Sequence, residues 1–118
     1  IFSIENSTSN LSLTLLSNTQ VINKVSIQIK NELSEIIIPT IKRFLQNNSI
    51  TFKNISFLAV GCGPGSFTGI RAVISAAKGI YLSNKHIKIV GINSLAGLAM
   101  SALIEAKNRN IQYIISSI

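Results

Sequence analysis

The segment GCGPGSFTGIR, residues 61–71, is the feature that most constrains how this chain can fold. An apolar run precedes it at residues 55–60, and a segment with helical periodicity follows at residues 67–83. Glycine at positions 61, 63, 65 and 69 permits positive φ and close approach of another backbone. The pattern predicts a junction at which a short buried strand turns directly into a helix.

The rest of the chain places a meander of three strands before this junction and an alternation of strands and helices after it. Three stretches before residue 30 alternate apolar and polar residues, which is typical of half-buried strands. A meander followed by β-α alternation predicts an α/β fold, a mixed sheet with helices on its faces. The expected order is β-β-β-α-β-α-β-α-β. The strands are expected near 2–4, 11–15, 25–29, 55–60 and 87–91 and from 111. The helices are expected at 32–47, at 67–83 and up to 108, the last with Asn93 or Ser94 as its cap.

Two of the predicted helices have distinctive patterns. Apolar residues recur every four positions in 32–47, which predicts an amphipathic helix, and Pro39 inside it is expected to produce a kink. The apolar residues of the third helix are spread around its circumference, so we expect that helix to be buried.

Composition narrows the class of protein. The chain has 118 residues, enough for one domain with a real core, and a net charge of +7. Its basic residues are scattered along the sequence, which favours an ordinary lysine-rich surface and leaves a nucleic-acid partner open. With no Asp, four Glu, one His and one Cys, the chain offers too few ligands for a catalytic metal site of its own.

Hydropathy and cysteine content indicate where in the cell the protein is expected. The longest uncharged apolar stretch, residues 89–104, is too short for a membrane span, and no signal-peptide pattern opens the chain. A single cysteine fits a reducing compartment. We therefore expect a cytoplasmic protein without a membrane partner.

The glycine-rich segment matches none of the common catalytic loops. A P-loop needs Lys after its last glycine, where Ile70 stands; the dinucleotide fingerprint needs glycine at Ser66; and a nucleophile elbow needs glycine at Pro64. Cys62 at the strand end could expose a thiol, but only His86 is available as its base. These comparisons argue against a catalytic residue in the segment.

The loop can instead shape the junction and hold an anion. Ser66 is placed to cap the following helix, whose free amides favour a negative charge such as a phosphate. Arg71 in the first turn opposes the helix dipole, so it either faces solvent or contacts a carboxylate or phosphate of a partner. The candidate anion site comprises Gly63, Pro64, Gly65, Ser66, Phe67, Thr68 and Arg71.

Small residues form a stripe along the helix that follows the loop. Gly69, Ala72, Ala76 and Gly79 lie three, four and three positions apart, which places them on one side. Such a stripe permits close approach of another helix, either within the same domain or from another chain. For the second alternative, the candidate interface comprises Ser34, Ile37, Ile38, Ile41, Gly69, Ala72, Val73, Ala76 and Gly79.

Several motifs, in order, resemble one known family. GCGPGSFTGIR with the later AAKG is similar to the G-x-GPGSFTG-[LIV]-R…A-x-G signature of the TsaB (YeaZ) family. IENSTSNLSLTLL resembles that family's opening hairpin, LSEIIIPTI its first helix, and IVGINSLAGLA its V-G-V-S-S-L segment. The resemblance extends over essentially the whole chain.

The resemblance implies a fold and a role. The fold is an actin-like, ribonuclease-H-like lobe. The implied role is that of a non-catalytic scaffold in forming threonylcarbamoyladenosine at position 37 of tRNA, in complex with a TsaD-type catalytic subunit and a TsaE-type ATPase. Members pair through the first two helices, as homodimers or with TsaD, and contact tRNA only indirectly. No cofactor of its own is expected, although ATP or ADP could lie at a shared subunit interface.

The chain departs from the family pattern in three respects. Glu5 and Asn6 stand where the family usually has Asp and Thr, which weakens the case for ATPase activity, and Leu33 stands where His is common. The family also implies a second lobe. We expect residues 1–110 to be the amino-terminal lobe and residues 111–118 to be the first strand of a second lobe that this sequence lacks.

Two other functions stay open on the sequence alone. The chain could be one lobe of an actin-like sugar or acetate kinase or ATPase, although such chemistry depends on aspartates that it lacks. It could also be a basic tRNA-binding module, whose affinity would depend steeply on salt.

Overall fold

The computed structural model describes residues 1–30 and 32–110, the side chains of 104–106 excepted. Five strands form one mixed sheet in the order β3-β2-β1-β4-β5. The meander β1–β3 is antiparallel, and β1, β4 and β5 run parallel to one another. The strands are β1 Phe2–Glu5, β2 Asn10–Ser17, β3 Gln20–Gln28, β4 Phe57–Gly61 and β5 Lys88–Ile92; the helices are α1 Leu33–Asn47, α2 Phe67–Ser83 and α3 Ser94–Asn108, and Phe52–Asn54 form a 3₁₀ turn.

The third strand begins five residues earlier than its alternation predicts. Ser17 pairs with Gln20, so the hairpin turn is only Asn18-Thr19, and Asn18 takes a φ of 53°, which asparagine tolerates better than most residues. The register between β2 and β3 then shifts between Leu15 and Leu16. This irregularity breaks the period-two pattern, which is why the start of β3 was not visible in the sequence.

One face of the sheet carries the core, and α1 and α2 cover that face. Alternate residues of β1 and β2 point into it, so these two strands bury every second side chain. In β4, Leu58 and Val60 point the same way, whereas the edge strands β3 and β5 contain no fully buried residue. Phe2 of β1 stacks on Phe44 of α1, with ring centroids 6.1 Å apart. The most completely buried side chains of this core are Phe2, Ile4, Leu11, Leu13, Ile41, Leu58, Ile87 and Val73.

The expectation that the third helix is buried is wrong for the described side chains. Leu98 and Met100 of α3 are 46% and 65% exposed, and the neighbouring β5 leaves Val90 and Ile92 exposed as well. An apolar pattern around a helix indicates that the helix favours apolar surroundings, and it does not say which part of a protein supplies them. Leu98 of α3 lines a cavity together with Ser3 of β1 and Ala59 of β4, which lie on the face of the sheet opposite the core.

The predictions for α1, α2 and the last strand have different outcomes. The bounds of α2 agree with the sequence prediction at both ends, and α1 contains Pro39 at an exposed position. The predicted strand from residue 111, and with it the boundary at 110, lies outside the described residues. None of the helices in the described part of the chain combines the length and the apolar character needed to cross a membrane.

Candidate functional site

The glycine-rich loop joins β4 to α2, and its geometry requires glycine at defined points. Gly63 has a φ of 83°, a left-handed conformation that glycine adopts without a steric cost, and the Gly63–Pro64 peptide is cis. A Cβ at position 63 would also lie 2.5 Å from the Ile70 side chain. The loop is therefore folded back over the first turn of its own helix.

The loop packs against the turn between β1 and β2. A side chain at Gly65 would collide with Ser7, and one at Gly69 would collide with Asn6, whose carbonyl oxygen would lie 2.7 Å from the added carbon. The Ser66 amide donates to the Ser7 carbonyl at 3.0 Å. Two of the glycines thus allow the start of α2 to approach the first hairpin closely.

A hydrogen-bond network centred on Glu5 connects three parts of the chain. Glu5 Oε1 accepts from the Ser7 amide at 2.6 Å, and Oε2 accepts from the Ser94 hydroxyl at 3.1 Å. The same hydroxyl oxygen accepts from the Gly63 amide at 3.1 Å, and the Ser94 amide donates to the Gly63 carbonyl at 2.9 Å. Both carboxylate oxygens are therefore engaged within the chain, where they fix the loop to the start of α3.

The start of α2 is capped as the sequence predicts. Ser66 Oγ accepts from the Gly69 amide at 3.3 Å, which satisfies one of the free donors of the first turn. Arg71 lies over the Phe67 ring, 5.2 Å from its centroid, and both side chains are exposed. This cation–π contact gives the unfavourably placed cation a local partner and leaves it open to solvent.

A groove runs along the outer surface between α1 and α2. It has a volume of about 510 Å³ and opens to solvent beside Ser34 and Thr68, which also line a second cleft of about 430 Å³ at the α2 start. Small side chains of α2 form one wall, and Ile37 and Ile38 of α1 form the other. The lining residues are Ser34, Ile37, Ile38, Thr68, Arg71, Ala72, Ser75, Ala76 and Gly79.

Comparison with known proteins places this arrangement in a family. Residues 20–116 match the family model described as "TsaD: tRNA N6-adenosine threonylcarbamoyltransferase". The tRNA threonylcarbamoyladenosine biosynthesis protein TsaB of Buchnera aphidicola subsp. Schizaphis graminum (strain Sg) is 41% identical over 92 residues, which cover 78% of this chain and 43% of that protein. The TsaB protein of subsp. Acyrthosiphon pisum (strain APS) is 31% identical over 111 residues, covering 94% and 49%.

The chain belongs to the TsaB (YeaZ) family. The solved structure of YeaZ from Pseudomonas aeruginosa superposes with a TM-score of 0.77 at 23% identity, covering 90% of this chain and 49% of that one. The likeness confirms the predicted actin-like, ribonuclease-H-like fold class. The chain spans less than half the length of these curated relatives.

The structure separates the predicted interface residues into two groups. Three residues, Ile41, Gly69 and Val73, are buried inside the lobe, and Gly69 packs against Asn6. Ile37 is also buried, but it lines the groove. Ser34 and Gly79 are exposed, Ile38 and Ala72 are half-buried, and Ala76 is 6% exposed at the groove wall. The first glycine of the stripe therefore packs internally, and its later members line a surface groove, where contact with another chain stays a prediction.

The loop residues form a continuous surface beside that groove. Gly63 is buried, whereas Pro64, Gly65, Ser66, Phe67, Thr68 and Arg71 are exposed. Phe67 is 71% exposed, which is unusual for a large aromatic side chain on a folded lobe. The surface thus presents an aromatic ring, a cation and hydroxyl groups next to the groove opening.

The structure keeps the Cys62 thiol apart from the His86 imidazole, the one base that the sequence offers it. Cys62 follows the carboxyl end of β4, and His86 lies before the amino end of β5, where its Nε2 is 3.1 Å from the Phe52 carbonyl oxygen. Because β4 and β5 are parallel and in register, the two side chains lie at opposite ends of the strand pair. Among residues 1–30 and 32–110, no three His, Cys, Asp or Glu side chains come together as metal ligands would.

Sequence reasoning missed the central role of Ser94. It identified Asn93 or Ser94 as a helix cap, and Asn93 Oδ1 is the cap, accepting from the Ala96 amide at 3.0 Å. Ser94 turns back instead and bridges Glu5 and Gly63. The one available signal was a second polar residue at the start of an apolar helix, and it could not reveal a contact between residues 89 positions apart.

Proposed function

We propose that this chain is the amino-terminal lobe of a TsaB-type scaffold that takes part in forming threonylcarbamoyladenosine at position 37 of tRNA. In this proposal it binds a TsaD-type catalytic subunit, with a TsaE-type ATPase joining the complex in the cytoplasm. The names of its relatives support the assignment to threonylcarbamoyladenosine biosynthesis. Among the residues that the structure describes, no specific feature favours the alternative of a kinase lobe.

The observation that carries the proposal is the groove between α1 and α2. The α2 side of the groove carries the small residues Ala72, Ala76 and Gly79, so little side-chain volume extends from the helix there. A Cβ at Gly79 would have nothing within 4 Å. A helix from another chain can therefore approach the backbone of α2 closely while its side chains pack against Ile38. We propose that two helices of the TsaD-type subunit, or of a second copy of this chain, complete a four-helix contact here.

The arrangement around Glu5 supports a structural rather than a catalytic role. Its carboxylate is the only acidic group in the first hairpin, and both oxygens already accept hydrogen bonds from Ser7 and Ser94. A carboxylate used in this way holds the loop in place. The chemistry then belongs to the partner subunit.

A shared nucleotide fits this surface only in part. Most loop amides bond within the chain: those of Ser66, Gly69 and Gly63 donate to Ser7, Ser66 and Ser94. A phosphate group could bind to the side chains of Thr68 and Arg71 and to the first-turn amides of α2. In our proposal ATP or ADP is held mainly by the partner, and these residues only help to position its phosphates.

The experiment is co-purification with a TsaD-type subunit, followed by measurement of threonylcarbamoyladenosine in tRNA by mass spectrometry. The chain should capture the subunit, and Gly79→Leu should reduce capture because the larger side chain fills the groove. Gly97→Leu is the matched control, since Gly97 is also a helical glycine whose Cβ would meet nothing within 4 Å. Equal capture by both variants, or steady Mg²⁺-dependent ATP hydrolysis by the chain alone, would contradict the proposal.

A further inference from the structure

A cluster of cationic and aromatic side chains lies at the end of the sheet opposite the glycine-rich loop. We define the basic-aromatic patch as Lys53, Phe57, Tyr81, Lys85, His86 and Lys88, all of which are exposed. The sequence contains no Asp or Glu between Glu35 and Glu105, so the segments that build the patch carry no acidic residue. The patch therefore concentrates positive charge without a neighbouring carboxylate on its own segments.

The fold brings the patch together from three separate segments. His86 Nε2 lies 3.1 Å from the Phe52 carbonyl oxygen, which joins the segment before β5 to the 3₁₀ turn that contains Lys53. The Lys88 amide donates to the Ser56 carbonyl at 2.9 Å, and Lys88 is the strand partner of Phe57. The positions of these cations are thus set by backbone contacts.

Each of two lysines is held over an exposed aromatic ring. Lys85 Nζ lies 4.3 Å from the centroid of the Tyr81 ring, and Lys88 Nζ lies 5.8 Å from that of Phe57. Tyr81 is 38% exposed and Phe57 41% exposed, and Tyr81, Lys85 and Lys88 line a concavity of about 440 Å³. These cation–π contacts hold each ammonium group at the patch in the unbound chain.

We propose that the basic-aromatic patch binds the phosphate backbone and unpaired bases of RNA. The ammonium groups of Lys53, Lys85 and Lys88 match the spaced charges of a phosphate chain, whose binding releases counterions. Exposed rings inside a lysine cluster match unpaired bases, which stack on aromatic side chains whatever their sequence. Lysines with long stems can move from ring to phosphate and leave the ring to a base.

This inference goes beyond the proposed scaffold role, because it gives the chain an RNA contact of its own. It rests on the proposed function only in the choice of tRNA as the RNA. Tyr81 follows Gly79 by two residues, so it points to a different side of α2 from the groove. A partner in the groove and an RNA on the patch can therefore be tested separately.

The test measures binding of fluorescein-labelled tRNA to the chain by anisotropy over a series of KCl concentrations. The double variant Lys85→Ala/Lys88→Ala should weaken binding and lower the slope of log K against log[salt] by about 1.4, as expected for two lost contacts to single-stranded phosphates. The matched control is Lys24→Ala/Lys30→Ala, which removes the same charge from β3, the other edge strand of the described sheet, and from the segment that follows it. The control should keep the wild-type slope.

A second pair of variants tests the aromatic part of the patch. Tyr81→Ala should weaken tRNA binding roughly five- to 150-fold, whereas Tyr81→Phe, which keeps the ring, should bind within about twofold of wild type. Equal effects of the two lysine double variants, or of the two tyrosine variants, would overturn the proposal. So would binding to phosphatidylserine vesicles without binding to tRNA, which would assign the patch to a membrane surface.

The partner assay separates this inference from the proposed function. Lys85→Ala/Lys88→Ala should still capture the TsaD-type subunit, because neither side chain lines the groove. Loss of tRNA binding with capture retained is the expected result. Failure of the wild-type chain to capture the subunit would contradict the scaffold role and leave the RNA result standing.

Discussion

The Glu5 carboxylate occupies the space that a side chain at Gly61 would need. A Cβ at position 61 would collide with Oε2 and with the carboxyl carbon, and it would lie 2.9 Å from Oε1. The absence of a side chain on the last residue of β4 therefore lets the carboxylate reach both Ser7 and Ser94. The glycine supports the network, although nothing about its own backbone demands glycine.

Gly61→Ala should destabilise the lobe through Glu5. The added methyl displaces a flexible carboxylate rather than backbone, so the expected cost is the loss of its hydrogen bonds, about 1.5–3 kcal/mol. Urea unfolding followed by circular dichroism measures the change in the free energy of unfolding. In a Glu5→Ala background the same substitution should cost much less, since the carboxylate is already gone. If the two substitutions have additive effects on the free energy of unfolding, then Gly61 and Glu5 are not energetically coupled.

The Ser66 cap should contribute measurably to stability. Ser66→Ala removes the acceptor for the Gly69 amide and should lower the free energy of unfolding by about 0.5–2 kcal/mol. Ser66→Asp is the control, because it retains a side-chain acceptor and adds a negative charge at the positive end of the α2 dipole. We expect the Asp variant to be at least as stable as wild type in the same urea titration. A loss as large as that of the Ala variant would mean that the cap is not what stabilises this junction.

The sequence predicts those features of the fold and of the loop that depend on neighbouring residues, and it does not predict those that depend on distant ones. The bounds of α2 follow from its own periodicity and from Ser66, and the prediction was confirmed at both ends. Local patterns also indicate that the loop joins a strand to a helix. Local patterns do not predict that Gly65 packs against Ser7 or that Gly69 packs against Asn6, because those contacts depend on how the hairpin lies over the helix.

The distribution of charge gives the clearest case of information that is not local. Lys53 and Lys88 are 35 positions apart, so in the sequence they appear as scattered surface residues. The parallel pairing of β4 with β5 brings the segments together and leaves the cations side by side at one end of the sheet. The exposed Leu98 is a second case: the apolar pattern of α3 indicates that the helix favours apolar surroundings, but it does not identify the residues that would pack against it.

Cys62 should be dispensable for tRNA modification. Its Sγ donates to the Val60 carbonyl at 3.4 Å, and the one histidine lies at the other end of the strand pair. Cys62→Ala should therefore leave the threonylcarbamoyladenosine content of tRNA within about twofold of wild type when the full complex is assembled. A variant that stays folded and partner-bound but forms no modified nucleoside would show that the thiol takes part in the reaction.

Substitution of Gly79 should affect folding and association in opposite directions. Gly79 is an exposed glycine inside α2, and a Cβ there meets nothing within 4 Å in the lobe. Gly79→Ala should therefore raise the free energy of unfolding by up to about 1 kcal/mol, the difference in helix propensity between the two residues. If another helix packs on this position, the same methyl should weaken association, since overpacking at a close helix contact commonly costs about 1–3 kcal/mol.

Gly97→Ala separates the two effects. A methyl group on Gly97 of α3 would also meet nothing within 4 Å, so the propensity gain should be similar, and the groove is untouched. Urea unfolding should rank both variants above wild type, whereas analytical ultracentrifugation and capture of the TsaD-type subunit should show a loss for Gly79→Ala alone. Association unchanged in both variants would show that the groove between α1 and α2 does not receive another helix, and that the small residues of α2 serve only the packing of their own lobe.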